Sequence, residues 1–217
     1  MMGRVYFVSG IDTGIGKTFA VGRMCRELQR EGRDWISVKM VQTGCDGFSE
    51  DLDAHRAIAG VGRFPEDDEG LTAPQIFKFP SSPLLAARLE GRTVDLARIA
   101  AAVAECAKRH DIVLVEGAGG LCVPLTDDAL AADFVAAQGW PLILVASGRL
   151  GAINHILLSL EAAKSRGIPL AGIVMNDFPK ADPLLFDDAL KAIARALKRM
   201  QIDCPVVGIP EQAPDVV

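Results

Sequence analysis

Six short apolar runs punctuate the chain: VYFVSG at 5–10, WISVKM at 35–40, DIVLVEG at 111–117, PLILVAS at 141–147, LAGIVMN at 170–176 and PVVGIP at 205–210. They are continuous rather than alternating, as strands read when both faces are buried. Between them, apolar positions recur at helical spacing. Residues 17–30 set Phe19, Val21, Met24 and Leu28 near one side, and 96–108, 127–138, 151–166 and 182–200 read the same way. Gly139 and Gly167 stand where two of these helices should end. This alternation predicts an α/β domain, a mostly parallel central sheet with helices on both faces. The stretch 60–83, GVGRFPEDDEGLTAPQIFKFPSSP, breaks the pattern, and its four prolines and acidic cluster predict a long loop with one edge strand at 75–79. No repeat or low-complexity tract divides the chain, so residues 1–217 read as a single domain.

Composition narrows the classes of function. Half of the 217 residues are hydrophobic, yet no apolar run approaches the roughly 18 to 20 residues that span a bilayer. The N-terminus enters a strand directly, without the basic, apolar and cleavage segments of a secretion signal. A net charge of −5, from 23 basic and 28 acidic side chains, argues against a broad nucleic-acid surface. Cys25, Cys45, Cys106, Cys122 and Cys204 are odd in number, scattered and free of CxxC spacing. They read as reduced thiols of a cytoplasmic protein, mostly small core residues, with Cys45 in a polar loop the accessible one. His55, His110 and His155 share no metal-ligand spacing and read as structural or solvated.

The chemistry begins at SGIDTGIGKT, residues 9–18. A buried strand ends, glycines permit a tight turn, and a helix opens at Lys17 and Thr18. The common phosphate-loop spacing, GxxxxGK[ST], needs glycine at position 11; here Ile11 stands there and the glycine is Gly10. Helix N-terminal amides attract anionic oxygen, Lys17 adds a full charge, and Thr18 offers a hydroxyl suited to magnesium. The alternative is a glycine turn of any α/β protein. With GKT at a strand-to-helix junction, the loop points to a P-loop NTPase-like, three-layer fold of a divergent branch.

Ligands of open α/β sheets lie beyond the carboxyl ends of the strands, and further polar groups fall there. Lys39 ends the second strand, in SVKMVQTG, either as a second cation for a transferring phosphoryl group or as a solvated edge charge. Glu116 ends DIVLVE before GAGG, where a carboxylate can hold magnesium or cap a turn. Asp53 in SEDLDAHR reads equally as a helix N-terminal charge or as the third oxygen donor beside Thr18 and Glu116. Asn176 ends LAGIVMND, and its amide suits an adenine edge or a turn.

Taken in order, GIDTGIGKT, KMVQTG, Asp53, VEGAGG, GRLGAINH and MND resemble the dethiobiotin synthetases, from Val5 to Glu211. The displaced glycine is itself a trait of that family. The resemblance implies an ATP- and Mg2+-dependent cyclo-ligase of biotin synthesis. Such an enzyme turns 7,8-diaminononanoate, CO2 and ATP into dethiobiotin, ADP and phosphate through a carbamate and a carbamic-phosphoric anhydride. It implies that Lys17, Lys39 and Thr13 act in catalysis and that Thr18, Asp53 and Glu116 hold the metal. The nucleotide would lie along Asp12, Thr13, Gly14, Ile15, Gly16, Lys17 and Thr18, with Asp53, Glu116, Gly117, Ala118 and Gly119. Its adenine would meet Asn176, Asp177, Ile209, Pro210 and Glu211. The diamine would touch Thr13, Lys39 and Thr43, and its carboxylate would reach Leu150, Gly151 and Asn154 of a neighbouring subunit in a cytoplasmic homodimer.

The chain departs from the family at Gly14, where several relatives carry glutamate, and at Met40, where proline often follows the lysine. A cobyrinic-acid amidase of the same branch would need a further glutamine-hydrolysing domain. A chromosome-partitioning ATPase would need an extra lysine among Ser9, Gly10, Ile11, Asp12 and Thr13, and none is there. A catalytically idle nucleotide-binding partner would not need Lys17, Thr18, Lys39 and Glu116 together.

Overall fold

The computed structural model describes residues 2–177 and 180–209. In chain order the elements are β1 (Arg4–Gly10), α1 (Lys17–Arg30), β2 (Trp35–Lys39), β3 (Gln42–Thr43), α2 (Glu50–Ala59), α3 (Pro65–Asp68), β4 (Ile76–Phe77) and α4 (Pro83–Leu89). There follow α5 (Leu96–Arg109), β5 (Ile112–Gly120), α6 (Ala131–Gln138), β6 (Leu142–Ser147), α7 (Ala152–Ser165), β7 (Leu170–Asn176), α8 (Pro183–Met200) and β8 (Val206–Ile209). Six strands form the central sheet in the order β2-β5-β1-β6-β7-β8, every neighbour parallel.

The continuous apolar runs explain this sheet. Phe7 and Val8 of β1, Ile36 and Val38 of β2, Val113 and Val115 of β5, and Leu142 and Leu144 of β6 are all fully buried. Each such side chain is worth about 2 kcal/mol relative to exposure. β1 sits between β5 and β6, so the loop leaving it opens into the crevice at the strands' carboxyl ends.

Several expectations are corrected. β8 is an edge strand, and Val206 and Val207 are exposed where burial on both faces was expected. The stretch 60–83 carries a short helix, α3, and the strand within 75–79 does not edge the main sheet. Instead β4 pairs in parallel with β3, Gln42 opposite Ile76 and Thr43 opposite Phe77, in a ladder of its own. The helix expected from residue 127 begins at Ala131, because Thr126 and Ala129 close a turn over the two aspartates. On α1 the buried face is centred on Ala20, Val21 and Cys25, with Met24 and Leu28 beside it, while Phe19 stays partly exposed. Cys45 is buried and Cys122 is the exposed thiol, the reverse of the expected accessibility.

Two glycines set the site's geometry. Gly16 caps α1 with φ 79°, a left-handed conformation that L side chains disfavour. Gly22 lets α1 and α2 close on one another, since a Cβ there would meet Ile58 at 2.8 Å. The first turn of α2 meets the start of α1 through Asp51 and Thr18.

Candidate active site

The loop after β1 lines a cavity of about 790 Å3 with Thr13, Gly14, Gly16, Lys17 and Thr18. Lys39 from the end of β2, Thr43 from β3, and Glu116, Ala118 and Gly119 from β5 complete much of the wall. Parallel register explains the convergence: Lys39 lies opposite Glu116, and Glu116 opposite Val8. Residues distant in sequence therefore end at one rim.

Lys17 is buried, and its Nζ donates to the carbonyl of Asp12 at 3.1 Å. Burial, and then the neighbouring Lys39 cation, bring its pKa down to about 8. Lys39 ends an edge strand yet is only 5 % exposed, which rejects the solvated-charge alternative. Its Nζ donates to Glu116 Oε1 at 2.8 Å and to the Gly117 carbonyl at 3.3 Å, and forms an ion pair with Asp51. Burial alone would depress the Lys39 pKa, but the Glu116 and Asp51 carboxylates outweigh it and hold the ammonium above its ordinary range. Glu116 is the mirror case. Burial opposes its ionisation, and Lys39 and His55 overcome that and keep it well below the usual carboxylate range.

Three hard oxygen donors meet here. Thr18 Oγ1 lies 3.0 Å from Asp51 Oδ1 and 3.1 Å from Glu116 Oε1. The third donor expected from sequence was Asp53, but the aspartate that meets Thr18 is Asp51. Ser49 caps α2 by accepting from the Leu52 amide at 3.3 Å, which fixes the helix phase. Two residues further along a helix is about 200° further round. Asp51 thus faces Thr18, while Asp53 is exposed and only 3.9 Å from the likewise exposed Arg63. The donor set of a hydroxyl and two carboxylates fits magnesium, which takes oxygen ligands.

The second unexpected group is His55, read from sequence as structural or solvated. It is fully buried one turn beyond Asp51 on the same face of α2. Its Nε2 lies 2.7 Å from Glu116 Oε2 and its Nδ1 3.0 Å from Ser37 Oγ. Apart from the helix spacing of Asp51 and His55, nothing local in the sequence marks it. Of the other histidines, His110 pairs with Asp34 at 2.8 Å, and His155 lies 3.6 Å from Asp12.

At the far end of the loop, Asn176 is buried and its Nδ2 donates to the Ile15 carbonyl at 2.9 Å. Its Oδ1 has no hydrogen-bond partner among the described residues. Asp177 donates its amide to the Ile209 carbonyl, and its carboxylate accepts from the Ala181 amide. Pro210 and Glu211 lie outside the described residues. Asp12 forms an ion pair with Arg149, joining the loop to the entry of α7. Leu150, Gly151 and Asn154 are exposed around the N-terminus of α7 and are not part of the cavity wall.

Solved structures share this architecture. A ParA family ATPase from Chlorobium tepidum aligns with a TM-score of 0.56 at 14% identity, over 96% of this chain and 85% of that one. The signal recognition particle receptor FtsY from Elizabethkingia anophelis aligns with a TM-score of 0.53 at 15% identity, over 98% of this chain and 58% of that one. At such identities the likeness shows the fold alone, that of the P-loop NTPases. A family model described as an AAA domain matches residues 4–217. Curated relatives are much nearer in sequence. The chain is 46% identical over 210 residues to the ATP-dependent dethiobiotin synthetase BioD of Chlorobaculum tepidum, covering 96% of this chain and 88% of that protein. It is 41% identical over 198 residues to BioD 2 of Pasteurella multocida, covering 91% and 93%. It is 46% identical over 184 residues to BioD 2 of Haemophilus influenzae, covering 85% and 96%. With so much of each chain aligned at these identities, the protein belongs to the ATP-dependent dethiobiotin synthetase family.

Proposed function

We propose that the protein is an ATP-dependent ligase that makes dethiobiotin from 7,8-diaminononanoate and CO2, releasing ADP and phosphate. The observation that carries this reading is the meeting of Lys17 and Lys39 with Thr18, Asp51 and Glu116 at one cavity rim. In this reading one amine of the diamine takes up CO2 as a carbamate. A carbamate oxygen then attacks the γ-phosphorus, and the P–O bond to ADP breaks. The second amine attacks the carbonyl carbon of the anhydride, the C–O bond to phosphate breaks, and the cyclic urea closes.

Carbamate and triphosphate are both anions, so their approach needs countercharge before it needs any acid or base. Lys17 lies at the start of α1, where backbone amides also attract phosphate oxygen. Lys39 lines the same cavity beside Thr43, within the wall assigned to the diamine. Thr13, exposed at the loop tip, completes the region where carbamate would lie. Thr18, Asp51 and Glu116 would hold Mg2+, which supplies further positive charge to the phosphates. The unpartnered Oδ1 of Asn176 is an acceptor suited to the exocyclic amine of adenine. The N-terminus of α7, with Gly151 and Asn154 exposed, offers amides for the diamine's carboxylate. Since it stands apart from this cavity's wall, it would serve the neighbouring subunit of a homodimer.

The direct test combines purified protein with ATP, Mg2+, bicarbonate and the diamine. Dethiobiotin detected by mass, with one ADP per product, supports the reading. Phosphate release without the diamine, and no cyclic product with it, would favour an ATPase switch instead.

A further inference from the structure

Glu116 is fully buried and uses both carboxylate oxygens. Oε1 faces Lys39 at 2.8 Å and Thr18 at 3.1 Å, and Oε2 faces His55 at 2.7 Å. An ionised carboxylate only accepts hydrogen bonds, so the His55 Nε2 must carry the proton between them. The other side of the ring is equally constrained. Ser37 Oγ, 3.0 Å from His55 Nδ1, already accepts from Arg56 Nη1 at 2.7 Å. Arginine has no acceptor, so the serine hydroxyl proton can turn toward Nδ1 or toward the neighbouring Cys25 sulfur. Arg56 is in turn clamped by two bonds to Asp67, from Nη2 at 2.8 Å and Nε at 3.1 Å. The line Asp67, Arg56, Ser37, His55, Glu116 thus runs through buried groups from α3 to the cavity rim. Arg56 donates at both of its links and Glu116 accepts at its own.

We propose that His55 is a positioning residue for Glu116, held in the Nε2–H form by Ser37 and Arg56 so that one carboxylate oxygen is pinned and the other is presented to the cation. This rests on the reading that Glu116 helps to hold the metal. The physical role is that of an outer partner that fixes the orientation of a ligand. Loss of such a partner weakens metal binding roughly tenfold to a hundredfold. The alternative role is simple filling of space between α2 and β5, which an apolar side chain of similar size would also serve.

The experiment titrates Mn2+ into the ADP complex, following its paramagnetic signal, for the wild type and for His55→Leu, His55→Gln and Glu116→Gln. Glutamine keeps an N–H near the position of Nε2; leucine does not. His55→Leu is expected to weaken Mn2+ binding by roughly tenfold or more. His55→Gln should recover most of that loss. Equal Mn2+ affinity in wild type and His55→Leu, with Glu116→Gln impaired, overturns the positioning role while leaving the metal reading intact. Unimpaired Glu116→Gln overturns the metal reading itself. Nitrogen NMR of the labelled wild type gives an answer that does not depend on the folding of His55→Leu. A ring protonated at Nε2 is expected, and a ring bare at Nε2 overturns the proposal.

Discussion

Lys39→Met separates the electrostatic role of the β2 lysine from its packing role, because methionine keeps most of the buried stem. In the folded protein Lys39 Nζ is bonded to the buried Glu116 at 2.8 Å and paired with the part-exposed Asp51. Removing one member of a buried ion pair typically costs about 3–5 kcal/mol, because the other charge is left without its partner. Glu116 still keeps His55 and Thr18, so the lower figure applies. A loss of about 3 kcal/mol, at roughly 2–4 °C for each kcal/mol in a chain of this size, lowers Tm by about 6–12 °C. The double variant Lys39→Met/Glu116→Gln removes both charges and should recover much of that stability. Turnover should fall by about a hundredfold or more, as for loss of one preorganised charge, while ADP still binds through the loop after β1 and Lys17. Calorimetric melting and a coupled ADP assay read the two effects separately. A Tm within about 1 °C of wild type, together with retained turnover, would refute both the buried pair and the role of the ammonium.

Three further predictions follow from the geometry. Asp51→Asn should lose Mg2+-dependent turnover by roughly a hundredfold, whereas Asp53→Asn should match wild type within the small worth of an exposed pair; steady-state assays across Mg2+ concentration decide between the two aspartates. Burial pushes the Cys25 and Cys106 thiols up to about 12, against an ordinary value of 9.0. Between those two values the unfolded chain binds fewer protons than the folded one, so each thiol lowers stability by up to about 1.4 kcal/mol per pH unit as pH rises above 9. The contribution is fully present below pH 9, and urea melts of wild type against Cys25→Ala/Cys106→Ala isolate it, because the other titrating groups cancel; parallel pH curves would contradict it. Asn154→Ala should raise KM for the diamine roughly tenfold to a hundredfold with kcat little changed, the signature of a lost hydrogen bond to a charged group; an unchanged KM removes the carboxylate assignment at α7.

The parts of the molecule legible from sequence were those governed by local pattern. Buried runs announced the strands of the sheet, and α1 begins at Lys17 as the glycine-rich turn required. What escaped depended on phase or on distant partners. Strand propensity marked PVVGIP, but its position at the sheet's edge, and hence the exposure of Val207, is decided by strand order. Asp51 and Asp53 are chemically alike, and only the cap at Ser49 determines which one faces Thr18. That cap is marked in the sequence by a serine before an acidic first turn, so the helix phase is within reach of local pattern. His55 was not readable in the same way. Its partner Glu116 is sixty-one positions away and meets it only once α2 packs beside the sheet. The lengthened loop and the strand-end lysine, by contrast, pointed to the same cavity before any contact was known.

The central claim is that the cations of one rim bring a carbamate oxygen onto the γ-phosphate, and an isotope measurement tests it most directly. C18O2 is supplied with ATP, Mg2+ and the diamine in a rapid-quench assay, and the released phosphate is examined by mass. The account predicts one oxygen-18 per phosphate formed, carried across from CO2 when the cyclic urea closes. Phosphate whose new oxygen comes from water would contradict it.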